Sequence, residues 1–243
     1  MRRLLALAML AVLTMSAGCT SLFGPGQLSQ DQLNRDASYD WETDATATYD
    51  VRANEYRAVY VLENRTNLSV YDRNTFGIER PLDVSAVKYQ YPNGTVIGLN
   101  DSDEFAVTQS RERATIEVPE EGGKVAFTVA RNGKTFSTPA FVEGASYEVV
   151  IPPNTDVAVP LLGKVSPGGY TTERVDGRIH IEWSSVETSG ISVRYYLDRD
   201  LLIFGSLAGI LTIAGLVGSA YYVRQIRELE RRRQEVGLDT REE

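Results

Sequence analysis

The chain holds one histidine and one cysteine in 243 residues, which narrows the chemistry open to it. His180 lies in "RIHIEW", residues 178 to 183, where strand alternation puts Arg178, His180 and Glu182 on one face and Ile179, Ile181 and Trp183 on the other. An imidazole on a solvated strand face catalyses acyl transfer only beside a nucleophile. Ser184 and Ser185 are near in sequence but are expected in the next turn, without nucleophile-elbow context. One histidine and one cysteine exclude a His-rich metal centre, a cysteine nucleophile set beside several thiols, an intramolecular disulfide framework and a cysteine zinc cluster. No catalytic residue, metal ligand or cofactor is assigned.

Carboxylates are the remaining candidates. "LNDSDEF", 99 to 105, groups Asp101, Asp103 and Glu104 in a loop suited to a hard cation such as Ca²⁺, but it lacks the twelve-residue ligand spacing, and a solvated acidic turn is the simpler account. Between residues 20 and 200 there are 27 acids and 17 bases, so carboxylate pairs for glycoside hydrolysis are available, although sequence does not give their separation. No Gly-rich loop follows a strand and opens a helix, which leaves nucleotide binding unsupported. The net charge of −8 argues against a nucleic-acid partner.

Modification chemistry is better marked. Asn64, Asn67, Asn93 and Asn100 each begin an Asn-x-Ser/Thr sequon, four of the nine asparagines between 20 and 200 and more than chance supplies, so they are candidate N-glycosylation sites. The bland alternative is that Asn, Gly, Ser and Thr crowd into turns. Cys19 follows Ser16-Ala17-Gly18, small residues before a cysteine as in a prokaryotic lipobox, with Ser16 where an aliphatic is usual. It is the candidate lipidation site; an unmodified thiol in a cleaved or retained signal is the alternative.

These residues are meaningful only if the chain is exported, and two apolar segments bear on that. Residues 1–18 have the layout of a signal peptide: Met1-Arg2-Arg3, an apolar run from Leu4 to Met15, then small residues. A helix of twelve residues rises only ~18 Å, too short to span a bilayer. Residues 201–223, "LLIFGSLAGILTIAGLVGSAYYV", are uncharged and long enough to cross with some tilt. Arg224, Arg227, Arg231, Arg232 and Arg233 follow them, and the acidic Asp198 and Asp200 precede them, so the positive-inside rule puts the 224–243 tail in the cytoplasm. The span contains Gly205-x-x-x-Gly209 and Gly215-x-x-x-Ser219, small-residue pairs that permit close helix approach and a homodimer.

Between the anchors, residues 19–44 carry Gly, Pro, Ser, Gln and Asn without alternation and are expected to form a lipid-anchored tether. Residues 45–200 alternate in short runs: 55–63, 84–91, 104–109, 114–118, 124–130, 135–141, 146–151, 156–162, 178–183 and 191–197. Asn132-Gly133 predicts a two-residue hairpin pairing Val129 with Phe136 and Phe127 with Thr138, and Pro92-Asn93-Gly94 marks a second turn. The expected fold is mainly β, an antiparallel immunoglobulin-like β-sandwich ectodomain, one elaborated or two small units split near 119–124, plus one C-terminal transmembrane α-helix.

Charge adds a setting. Only Lys88, Lys124, Lys134 and Lys164 are lysines between 20 and 200, and such an acidic, lysine-poor surface suits high salt. The lipobox-like start, "SYEVVIPPNTDVAVPLLGKVSPGGY", "GRIHIEW" and "ISVRYYLDRDLLIFG" together resemble a family of uncharacterised haloarchaeal membrane-anchored surface proteins. That resemblance implies an extracytoplasmic setting in high salt and brings no activity with it. The expected function is a non-enzymatic binding or envelope-organising module whose partners are membrane lipid and envelope glycoproteins. The alternatives are an accessory subunit or sensor-like receptor of a membrane complex, and a carboxylate-based surface hydrolase.

Overall fold

A computed structural model describes residues 28–239; the signal at 1–18, Cys19 and the first part of the expected tether lie outside the described residues. Helix α1 (Gln30–Leu33) is followed by β1 (Ala47–Val51), β2 (Glu55–Val61), β3 (Asn67–Arg73), β4 (Glu79–Pro81), β5 (Val84–Gln90), β6 (Val96–Gly98), β7 (Ala106–Gln109) and β8 (Ala114–Glu117). Then come β9 (Lys124–Ala130), β10 (Thr135–Pro139), β11 (Ala145–Val150), β12 (Thr155–Asp156), β13 (Lys164–Ser166), β14 (Thr171–Val175), β15 (Arg178–Val186), β16 (Gly190–Arg194), β17 (Tyr196–Leu197) and helix α2 (Asp198–Asp239).

One layer is an eight-stranded sheet in the order β14-β15-β11-β1-β2-β9-β5-β6. Facing it are the sheets β10-β16-β13 and β4-β3-β8-β7, while β12 and β17 form a two-stranded ladder. β1 and β11 run parallel, and the other ladders are antiparallel. The mainly β sandwich with one long apolar helix therefore stands. Strands from both sides of 119–124 alternate in the large sheet, since β9 lies between β2 and β5.

Alternation produces the core. In β15, Ile179, Ile181 and Trp183 are buried while Arg178, His180 and Glu182 face outward. Tyr49 of β1 meets Tyr56 and Phe136, with ring centroids 5.8 and 5.0 Å away, and the Tyr49 and Tyr60 hydroxyls bond each other. Tyr147 donates to the Val142 carbonyl and accepts its N–H, both at 2.9 Å. An aromatic core this rich in phenols keeps its polar tips satisfied.

The predicted Asn132-Gly133 hairpin does not form. Both edges of β9 are occupied, so Val129 pairs with Tyr56 and Val84, and β10 crosses to the facing layer, where Phe136 pairs with Val193. Arg131 holds the crossing through the carbonyls of Gly133 and Thr135, at 2.8 and 3.1 Å. The two-residue hairpin instead lies at Asp176-Gly177, both at positive φ (49° and 77°), joining β14 to β15. The Pro92-Asn93-Gly94 turn does close a hairpin, between β5 and β6.

Residues 28–44 are no free tether. Leu33 is 1% exposed and joins the core, Tyr39 bonds the Ala86 carbonyl and Thr128 at 2.6 and 2.8 Å, and Lys88 pairs with Asp36 at 2.8 Å. This stretch is a strap across the outer face of β5, β9 and β2. Its three apolar anchors, Leu33, Tyr39 and Trp41, are separated by polar residues with no period, which hides them among residues typical of linkers.

Register defines two ends of the sandwich. At one end Tyr195 N–H donates to Lys134 O, Arg131 N–H to Asn54 O, and Lys134 pairs with Asp200 at 2.5 Å, so this end carries α2. At the far tip, Leu62 and Gly122–Gly123 bond each other, and Val118 N–H donates to Thr66 O.

Candidate functional site

The strap forms one wall of a polar groove whose floor is the outer face of the large sheet. Alternation in β1 sends Thr48 and Asp50 outward, β11 contributes Glu148, and β15 contributes Arg178, His180 and Glu182. Register places Thr48 beside Glu148, Glu148 opposite Glu182, and Asp50 opposite Arg57. Ser38, Asp40 and Glu42 of the strap complete a hollow of about 690 Å³. A second hollow of about 520 Å³ shares Glu42 and Glu148 with it and runs on to Asp44, Thr171 and Glu182.

Two hydrogen-bonded groups organise the floor. Arg178 donates to Asp50 at 2.5 Å and to the carbonyls of Ile151 and Val51 at 3.0 and 3.1 Å, and Arg52 holds the other Asp50 oxygen at 2.8 Å. Burial alone would push the Asp50 carboxyl up, but the hydrogen bonds from Arg178 and Arg52 outweigh it and hold it below its ordinary value. The second group is centred on Glu148, which meets His180 Nδ1 at 2.6 Å and accepts from Thr48 Oγ1 at 3.1 Å. On the wall, Arg57 donates to Ser38 O at 2.7 Å, and burial pushes the Tyr39 phenol up to about 12.

A carboxylate-held imidazole is two thirds of an acyl-transfer triad, so the hydroxyls around it matter. Thr48 is engaged with Glu148 itself. Ser184 and Ser185 belong to β15 and not to the next turn, because that strand runs nine residues to Val186. Ser184 is four positions from His180, ~13 Å along the strand, out of hydrogen-bond reach. Ser185 donates to Gly144 O at 3.2 Å. The His180–Glu148 pair, invisible to alternation alone, is a positioned polar contact in the groove. Cross-strand register also sets Glu148 opposite Glu182, an alignment that is not legible in the sequence of either strand.

The other sequence-predicted sites lie elsewhere. Asn64, Asn67, Asn93 and Asn100 are all exposed. The first three surround the far tip, whereas Asn100 sits on the flank beyond β6. Asp101 accepts from Gly98 N–H at 2.7 Å and serves its own turn. No group of three or more His, Cys, Asp or Glu suited to a metal occurs among the described residues. Gly205, Gly209, Gly215 and Ser219 are exposed on α2, and a Cβ added at any of the three glycines would meet nothing within 4 Å. α2 is long and apolar enough to cross a membrane, with a mean hydropathy of 2.2 over its most apolar window.

Fold and site together define a β-sandwich domain with a strap-walled polar groove, joined directly to one long apolar helix. The chain belongs to the family of unknown function DUF5803, whose model matches residues 43–241, the sandwich from just before β1 together with the helix. No curated protein matches the chain, and no solved structure matches it.

Proposed function

We infer that this is a single-pass membrane protein whose sandwich stands outside the cytoplasm as a non-enzymatic binding or envelope-organising module, with the groove as its binding site. The observation that carries this reading is the junction: β17 ends at Leu197 and α2 begins at Asp198, so no linker separates the groove-bearing body from the apolar helix. The arginines after residue 223 favour a cytoplasmic tail. The strap enters at the helix-bearing end, where Gln32 bonds Asp83 and Val84, and Val84 pairs with Val129 near the end of β9. Lipid on Cys19 would thus attach the body to the same membrane at the same end. Nine residues, 19–27, reach at most ~30 Å. Glycans on Asn64, Asn67, Asn93 and Asn100 would lie away from the groove, and a high-salt surface layer of glycoproteins is the partner that the acidic, lysine-poor body suits.

Co-purification from gently solubilised membranes tests this reading. The wild-type chain is expected to retain an envelope component that Glu148→Ala and His180→Ala lose. A stoichiometric transporter or kinase partner, held equally by the groove variants, would favour an accessory or sensor role through α2 instead.

The Glu148–Glu182 register supports a second reading, a surface hydrolase acting on glycans. Directly opposed residues in antiparallel strands have Cβ atoms ~4.5–5.5 Å apart, and retaining glycosidases hold their carboxyl groups ~5–5.5 Å apart. Glycan cleavage by the wild type that Glu182→Gln abolishes would establish it; no cleavage by the wild type would end it.

A further inference from the structure

Among the described residues, the three most exposed large apolar side chains of the sandwich all sit at one end. Phe76 is 87% exposed, Leu161 85% and Ile78 63%. Phe76 and Ile78 occupy the turn between β3 and β4. β3 leaves the far tip at Asn67 and runs seven residues toward the helix-bearing end, where Asp72 lines a hollow with Val129 and Ala130. Leu161 occupies the loop between β12 and β13. Asp156 pairs with Tyr196, Lys164 pairs with Arg194, and Arg194 donates to Leu161 O at 3.3 Å, so this loop lies beside the last residues before α2.

Neither loop has a core reason for its exposed side chain. Asn74 shapes the first turn by accepting from the Phe76 and Ile78 N–H groups, at 2.9 and 3.0 Å, and its fold does not call on the phenyl ring. Leu161 holds positive φ (79°), a conformation that costs a branched residue and that glycine would adopt freely. Near the first loop Arg73 and Arg113 both pair with Glu79 and Arg80 pairs with Asp72, so its surroundings are close to neutral in a body whose overall balance is acidic, and near the second stand Lys164 and Arg194. Exposed apolar tips in charge-balanced surroundings suit a membrane interface, with the side chain in the headgroup boundary and the exposed Lys164 ammonium toward phosphate.

The junction determines what covers them. Leu197 N–H donates to Asp200 at 3.1 Å and Lys134 pairs with Asp200, so the first turn of α2 is fixed to the body and the uncharged run begins at Leu201. At 1.5 Å per residue the bilayer surface then lies within about a helical turn of this end. The four sequon asparagines avoid both loops. We propose that the Phe76–Ile78 turn and the Leu161 loop insert into the interface of the bilayer that α2 crosses, giving the sandwich two apolar feet beside its helix and a fixed stance. This rests on α2 spanning the membrane.

Full-length chains carrying one added tryptophan, Phe76→Trp, Leu161→Trp, Val96→Trp or Leu211→Trp, are reconstituted in phospholipid vesicles with and without a mixture of lipids brominated near the headgroup end and lipids brominated near the methyl end of the acyl chain. The wild-type signal from Trp41 and Trp183 is subtracted. Loss of the added emission at Phe76→Trp and Leu161→Trp, as at Leu211→Trp within the span and unlike Val96→Trp at the far tip, is the expected result. Quenching confined to Leu211→Trp overturns the proposal while leaving the spanning helix intact. Unquenched Leu211→Trp overturns both, which tells the two failures apart. Ile78→Trp repeats the measurement should Phe76→Trp fail to fold.

Discussion

Replacing Asp50 by asparagine tests the groove floor. The carboxylate joins Arg178 and Arg52 through contacts of 2.5 and 2.8 Å, and Arg178 in turn ties β15 to the ends of β1 and β11. The amide of the Asp50→Asn variant keeps the shape and one acceptor but removes the charge, leaving the half-buried Arg178 guanidinium without its counter-ion. Hydrogen bonds to charged groups contribute about 1.5–3 kcal/mol, which in a domain of this size lowers the melting midpoint by roughly 3–12 °C. The sign with pH follows from the lowered folded-state value. The carboxylate's contribution is fully present above its unfolded value of about 3.9, and it is lost as pH falls through the lower folded value. Thermal unfolding of the full chain in detergent, followed by tryptophan emission, should show wild type above Asp50→Asn at pH 7 and the two curves converging in strong acid. Equal midpoints at pH 7, or a gap that persists unchanged below pH 3, would refute the reasoning.

Leu33→Ala should destabilise the body by about 2–5 kcal/mol, since it empties a fully buried side chain in the core; urea unfolding measures it, and a change within error would mean that the strap is not docked. Gly123→Ala drives a methyl carbon well inside van der Waals contact with the Tyr89 hydroxyl, which accordingly should leave the Glu120 carbonyl it bonds at 2.9 Å. Such overpacking costs about 1–3 kcal/mol. The methyl meets the ring carbons Cζ and Cε2 as well as the hydroxyl, so the substitution should cost less in a Tyr89→Ala background that lacks the ring, and an equal cost would place the clash elsewhere.

Period-two alternation revealed the strands with one buried face, such as β9 and β15, because burial writes itself into every second residue. It missed β1, although its burial alternates residue by residue over five positions, β14, all five of whose residues are exposed, and β3, whose polar start at Asn67 and Ser69 and charged end at Asp72 and Arg73 resemble a loop. Turn chemistry misled at Asn132-Gly133 because a turn signal says nothing of whether the neighbouring strand edge is free. The outward faces of His180 and Glu182 were legible. Their partners were not: Glu148 reaches His180 across 32 residues, and register between strands depends on the whole sheet. The strap stayed hidden since its anchors fit no period.

The proposed topology puts the sandwich and its groove on the outer side of the membrane and the tail within. Cysteines placed at Asn132, in an exposed loop of the body, and at Arg233, beyond the span, are labelled in intact cells with a membrane-impermeant maleimide, with the wild-type chain reporting any reaction at Cys19. Asn132→Cys should label in intact cells and Arg233→Cys only after lysis. The reverse pattern would contradict the account outright.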